Sequence, residues 1–241
     1  MRIKKVIAIL VILLLSTGIV FAQDTKKEES IEELYLSNPN VRYAYEISMA
    51  EDRDDKLLAI DEIGRLIDEG VSAQDEQQIA MILEDLASQG TTVIIRENGR
   101  VTNYYPDVRW EACRILAKVQ SDEGKKRAVK ALVNVLRQDD DPIVKAKAVL
   151  ALGEIGTNQD NTAARAIATA VTEQDYMAPN NNFAMSSIIA LEKLSDSDDG
   201  ITDASVLSAL VKIMQGNYSR TVKNKAREVL DTLRRKQSEN K

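Results

Sequence analysis

The chain has 241 residues, of which 32 are Lys or Arg and 38 are Asp or Glu, and its formal net charge is −6. It has no His and a single Cys. This composition excludes His-ligated metal sites, Ser-His-Asp or Cys-His catalysis and an internal disulfide. The acidic balance also argues against nucleic-acid binding, because phosphate contacts need clustered Lys and Arg side chains.

Residues 1–22 have the order of charged, apolar and small residues that is typical of a secretory signal peptide. Basic residues precede the apolar run Val6–Leu15, and Val20 and Ala22 occupy the places where signal peptidase needs small side chains. We therefore expect cleavage after Ala22, export across the inner membrane to the periplasm, and no stable membrane span in the mature protein. The polar stretch at 23–30 predicts a short flexible leader. The alternative is an uncleaved signal that anchors the chain in the membrane.

The rest of the chain is internally repetitive. The segments Arg127–Ile155, Ala166–Leu194 and Ser205–Leu233 align without gaps, and their starts are 39 residues apart. Within each half of a segment, apolar residues recur every three or four positions, which is the helical period. Each segment therefore predicts two amphipathic helices joined by a short polar turn. Such a pair buries its apolar face only by stacking on neighbouring pairs.

An earlier unit fits the same pattern. Its second helix is predicted over Asp107–Val119, because the apolar residues there align with those of Val144–Ile155, and its first helix is predicted over about Gln74–Gln89. Asp141 followed by Pro142 supplies an N-cap and then a proline in the first helical turn, where its missing N–H group is tolerated.

The stretch Asp141–Gly156 resembles the second-helix pattern of the HEAT-repeat family, in the short bacterial form that also occurs in bilin lyases, and Pro106–Val119 is similar to the same pattern. The resemblance implies an all-α fold, a right-handed α-solenoid of about five helix pairs over 31–237, with a disordered tail at 238–241. Armadillo and tetratricopeptide arrays are the alternatives, although the latter favour a 34-residue period and large aromatic residues.

One unit is longer than the others, with an insertion near 92–103. The dipeptide Asn98-Gly99 lies there between two short runs of β-forming residues. Asn-Gly between such runs is the strongest short hairpin signal, so we predict an inserted β-hairpin. The alternative is a disordered loop.

Acidic turns and the lone cysteine are poor candidates for chemistry. Asp196–Gly200 does not fit the ligand spacing of an EF-hand loop and is predicted to be a turn, with Asp203 capping the next helix. Asp139–Asp141 is likewise predicted to be a turn and a cap. Cys113 has no His to activate it and is predicted to be a structural or partly buried thiol. No metal, cofactor or catalytic site is predicted.

The second helices line the concave face in HEAT-like stacks, so the resemblance implies that certain positions in them face that surface. Five residues at these positions form an apolar stripe with one cation: Trp110, Arg114, Leu150, Met185 and Ile189. Tyr104 and Tyr105 follow the hairpin and are expected beside the stripe. An exposed apolar stripe with Trp and Arg has the composition of a binding patch. The alternative is that these side chains pack between repeats.

These features predict an exported, non-enzymatic HEAT-repeat scaffold that binds a protein or peptide partner on its concave face. The resemblance leaves open a HEAT-like enzyme subunit or a bilin-lyase-like protein, since some members of the family are lyases. A structural component of an envelope complex is a further alternative.

Overall fold

The computed structural model describes residues 38–92, 94–175 and 177–239, so the predicted signal peptide at 1–22 and the leader at 23–30 lie outside the described residues. Within those ranges the chain forms ten α-helices and one two-stranded sheet. The helices are α1 (Pro39–Ser48), α2 (Arg53–Glu69), α3 (Ala73–Ala87), α4 (Pro106–Leu116), α5 (Asp122–Gln138), α6 (Pro142–Ile155), α7 (Thr162–Thr172), α8 (Asn181–Ser195), α9 (Ala204–Gln215) and α10 (Arg220–Glu239).

The helices alternate between two layers. The first helices of the repeats are α1, α3, α5, α7 and α9, and each packs on the second helix that follows it in the chain. Successive first helices also pack on one another, and so do successive second helices. The described chain is therefore an all-α solenoid of five helix pairs, numbered here as repeats 1 to 5, which confirms the fold predicted from the sequence.

Side-chain caps determine where several helices begin. Asp141 Oδ1 accepts hydrogen bonds from the backbone N–H groups of Ile143 at 2.8 Å and Val144 at 3.1 Å. Asp203 Oδ1 accepts one from Ser205 N–H at 2.9 Å. Both predicted caps are confirmed, and each satisfies N–H groups that have no partner within the helix.

The boundaries of two predicted helices shift slightly. α3 ends at Ala87 and α4 ends at Leu116, whereas the sequence predicts ends at Gln89 and Val119. α10 extends to Glu239, into the segment 238–241 to which the sequence assigns a tail.

The core follows the register predicted from the apolar spacing. Seven apolar residues of the second helices that the register assigns to the core are all buried: Val108, Leu116, Val144, Leu152, Phe183, Leu191 and Val222. The second helices α6 and α8 approach closely at Gly153, where a Cβ atom would lie 2.7 Å from the Cα atom of Ala190. Only glycine fits that contact without moving the helices apart.

The insertion in repeat 2 is a β-hairpin, as predicted. Its strands are β1 (Arg96–Glu97) and β2 (Arg100–Val101), paired antiparallel. Asn98 and Gly99 between them have φ angles of 49° and 80°. Positive φ at both central residues is the requirement of a type I′ turn, which explains why the Asn-Gly signal was informative.

Within the described ranges, none of the helices combines the length and the apolar character needed to cross a lipid bilayer.

Candidate binding surface on the second helices

The predicted apolar stripe lies on three consecutive second helices. Trp110 is on α4, Leu150 is on α6, and Met185 and Ile189 are on α8. All four are half-buried, and Trp110 and Met185 pack against the hydrophobic core. Since α4 packs on α6 and α6 packs on α8, the structure brings these residues onto adjacent helices, and each keeps part of its surface in solvent.

Two cations border Trp110. Lys147 of α6 holds its Nζ atom 5.2 Å from the centre of the Trp110 ring, within the range of a cation–π interaction. Arg114, one turn after Trp110, is exposed, and its Nε atom lies 2.5 Å from Oε2 of Glu111. The indole therefore contacts a side chain of the neighbouring repeat, while Arg114 is exposed one turn farther along α4.

Charged pairs link the second helices around the stripe. Lys225 of α10 lies 2.8 Å from Glu192 of α8, and Lys118, which follows α4, lies 2.6 Å from Asp68 of α2. The hydrogen bond to Glu192 raises the pKa of Lys225. Such exposed pairs contribute at most about 1 kcal/mol each to stability. They give the apolar stripe a polar margin, which is the usual anatomy of a protein interface.

The two tyrosines after the hairpin take different roles. Tyr104 is exposed, and its ring centre lies 4.6 Å from the guanidinium carbon of Arg109. Tyr105 is half-buried, and its hydroxyl donates to the carbonyl oxygen of Glu51 at 3.2 Å. Both tyrosines directly precede α4, but Tyr105 bonds to the turn that joins α1 to α2, whereas Tyr104 lies over Arg109.

A buried ion pair that sequence reasoning missed lies beneath Tyr104. Arg109 is fully buried and donates from Nε to Asp139 Oδ2 at 2.6 Å and from a second nitrogen to Oδ1 at 3.0 Å. It also donates to the carbonyl oxygen of Gln89 at 3.1 Å. Burial alone would lower the pKa of Arg109, but the hydrogen bonds and charge of Asp139 outweigh burial and raise it.

Asp139 is therefore more than the turn residue that the sequence suggests. Its carboxylate joins the turn before α6 to α4, and it also accepts a hydrogen bond from the Asp141 N–H group at 2.9 Å. Through its bond to the Gln89 carbonyl oxygen, Arg109 also contacts the segment that follows α3, on the other side of the hairpin. The ion pair thus connects the two ends of the inserted hairpin in repeat 2 with the turn before α6 in repeat 3.

The remaining candidates do not form a chemical site. Cys113 is fully buried, and burial raises the pKa of its thiol, so the nucleophilic thiolate is disfavoured. The turn Asp196–Gly200, which does not fit an EF-hand loop, makes a structural contact instead: the carboxylate of Asp199 accepts a hydrogen bond from Asn158 N–H at 2.8 Å. Across the part of the chain that the structure describes, no group of three or more Cys, Asp or Glu side chains is placed to hold a metal ion.

Comparison with known proteins agrees with the helix pairing. Residues 100–178 match the family model described as HEAT repeats, a range that runs from the hairpin into the turn between α7 and α8. The match and the five stacked helix pairs together support a HEAT-repeat family for this chain. HEAT repeats commonly mediate protein–protein interaction, so the solenoid suggests a scaffold or interaction role. No significant match to a curated protein sequence was found.

Proposed function

We propose that this protein is an exported, non-enzymatic scaffold that binds a protein or peptide partner across the second helices α4, α6 and α8. The observation that supports the proposal best is the set of half-exposed apolar side chains Trp110, Leu150, Met185 and Ile189 on adjacent helices. A helix surface that faces only water is usually polar, because exposing apolar side chains to water is unfavourable in free energy.

The chemistry of the stripe fits a polypeptide ligand. Trp and Arg are the residue types that most often dominate binding energy at protein interfaces, and they do so where surrounding residues exclude water. Trp110 already contacts Lys147 and packs partly on the core, so it loses less side-chain freedom than a fully exposed residue when a partner covers it. Leu150 and Ile189 extend the apolar area over the next two helices, and the charged pairs around them supply a polar rim.

Partner capture tests the proposed surface. The purified protein is immobilised and exposed to solubilised envelope proteins of its native host, beside the double variant Trp110→Ala/Ile189→Asp. We expect the double variant to lose the partner, with affinity lower by about 2 kcal/mol or more if Trp110 is an anchor. Thr169→Asp, which adds the same charge to an exposed position of the first helix α7, is the matched control and retains binding. Equal capture by all three proteins would reject this surface.

Export is tested separately by sequencing the N-terminus of the protein recovered from its host. The proposal predicts Gln23 as the first residue. Replacing Ala22 by a large side chain such as Phe blocks processing, because signal peptidase accepts only small residues there. Recovery of the unprocessed wild-type chain from the membrane fraction would support the anchored alternative instead.

A further inference from the structure

The two long edges of the solenoid differ in their exposed apolar residues. One edge, here named the intra-repeat edge, carries the turns that join the first helix of a repeat to its second. The other, the inter-repeat edge, carries the turns between successive repeats. Eight large apolar side chains are exposed in the described ranges, and six of them lie on the intra-repeat edge: Met49, Ile94, Ile95, Tyr104, Ile143 and Met177.

The inter-repeat edge shows that this exposure is not a general property of the turns. Its apolar residues Val119 and Ile201 are buried, and Val71 is half-buried. Its polar residues bond to one another, since Asn158 Nδ2 donates to the carbonyl oxygen of Gly200 at 2.6 Å and Asn161 Oδ1 accepts from Thr202 N–H at 2.9 Å. The inter-repeat turns thus keep their large apolar side chains out of solvent, whereas the intra-repeat edge exposes six of them and buries Tyr218 in the turn of repeat 5.

Hydrogen bonds join neighbouring turns of the intra-repeat edge between repeats 1 and 2, repeats 2 and 3, and repeats 4 and 5. The Tyr105 hydroxyl bonds to the turn of repeat 1, as described above. The Thr92 hydroxyl, beside the hairpin, donates to Gln138 Oε1 in repeat 3 at 2.6 Å. Farther along, Asn217 Nδ2 in repeat 5 donates to the Met177 carbonyl oxygen in repeat 4 at 3.1 Å. The exposed apolar side chains therefore lie on successive turns of the stack, most of which are bonded to a neighbouring turn.

Exposed carboxylates accompany the most exposed apolar side chains. Met177 is 76% exposed and follows the exposed Asp175, whereas Ile143 is 60% exposed and follows the exposed Asp140. Met49, 63% exposed, precedes the exposed Glu51. The turns of repeats 1, 3 and 4 thus each combine an apolar contact with a negative charge. At these three repeats the combination complements a ligand that is apolar and positively charged, and it repels an anionic lipid surface. The hairpin of repeat 2 instead exposes Arg96 and Arg100 beside Glu97.

The spacing of the row indicates the form of that ligand. Packed helices are about 8–10 Å apart, so four repeats place their turns along roughly 30 Å. An extended chain covers that length with about ten residues at roughly 3.3 Å each. We propose that the intra-repeat edge is a second interaction surface, which binds an extended polypeptide segment rich in Lys or Arg and apolar residues. This surface is separate from the second-helix stripe, so an experiment can reject either proposal without rejecting the other.

Fluorescence anisotropy of the full-length protein tests the proposal with a labelled ten-residue peptide of alternating Lys and Leu. We expect this probe to bind more tightly than the matched Glu–Leu peptide, and its affinity to fall as salt is raised. Ile143→Ser/Met177→Ser is expected to weaken binding about tenfold through lost apolar contact. Asp140→Asn/Asp175→Asn is expected to weaken it about threefold at low salt and to flatten the salt dependence.

Two controls separate this surface from the rest of the molecule. Asp160→Asn/Asp198→Asn makes the same charge change at exposed positions of the inter-repeat edge and should leave affinity unchanged. Trp110→Ala/Ile189→Asp should do the same, because the stripe is a different site. The proposal is overturned if the Glu–Leu peptide binds equally well, or if the edge variants bind like the wild type. It is also overturned if the two control pairs weaken binding as much, or if phosphatidylcholine–phosphatidylserine vesicles are bound and the Lys–Leu peptide is not.

Discussion

Each of the second helices α4, α6 and α8 has an inner face, which packs into the core, and an outer face, which carries the stripe. Apolar residues lie on both faces, but in different environments. On α6, Leu152 points into the core and is fully buried, whereas Leu150, two residues earlier, is half-buried on the outer surface. On α4, Val108 is buried and Trp110 keeps part of its ring in solvent. An apolar residue in this solenoid therefore stabilises the fold or remains available to a partner according to its register, and substitutions on the two faces should have different consequences.

The largest effect is expected on the inner face at the buried ion pair. Asp139→Ala leaves the Arg109 guanidinium buried without its carboxylate, which costs about 3–5 kcal/mol of unfolding free energy. Urea denaturation measures that loss. The variant Arg109→Met/Asp139→Leu removes both charges and should recover most of the stability, because an apolar pair avoids the cost of burying charge. A double variant as unstable as Asp139→Ala would show that shape, rather than charge, governs this contact.

Leu152→Ala is the matched apolar change on the inner face. Since Leu152 is fully buried, the loss of burial and the cavity left behind should lower the free energy of unfolding by about 2–5 kcal/mol. Leu150→Ala, on the outer face of the same helix, is the control and should cost less than half as much. Equal losses in equilibrium denaturation would mean that the outer face is packed like the core.

A smaller effect is expected where two second helices touch. Gly153→Ala adds a Cβ atom 2.7 Å from the Ala190 Cα atom, and this overpacking should cost about 1–3 kcal/mol, more than the gain in helix propensity returns. At Gly64 the added Cβ atom would meet only the end of the Ile115 side chain, at 3.2 Å. Gly64→Ala should therefore leave the melting temperature close to that of the wild type. A stable Gly153→Ala protein would indicate that α6 and α8 separate easily.

Local features of the fold were predictable from the sequence, whereas long-range pairing was not. Asp141 and the Asn98-Gly99 turn act on backbone groups within a few residues, so short patterns identify them. Arg109 and Asp139 are 30 residues apart, and no local pattern marks an arginine whose partner arrives from the next repeat. The sequence also gave no reason to expect that the two edges of the solenoid would differ.

The exposure of the apolar stripe was likewise not predictable from the sequence. The register places Trp110 and Met185 on the second-helix surface, but their degree of exposure depends on neighbouring repeats. Lys147 reaches Trp110 from the next helix, and large side chains at these positions lean onto the core. Their half-buried state lies between the two alternatives, exposure and inter-repeat packing, that the sequence left open.

The central claim, that the stripe is a binding surface and not core, is tested most directly by equilibrium unfolding of Trp110→Ala/Ile189→Asp beside Leu152→Ala. Because the stripe residues are half-buried, each of the two substitutions should cost no more than about 1 kcal/mol, the average for a single change, while Leu152→Ala alone costs about 2–5 kcal/mol. Retained stability together with lost partner capture is the result that the account predicts. A double variant that unfolds as readily as Leu152→Ala would contradict it, since the stripe would then be part of the core.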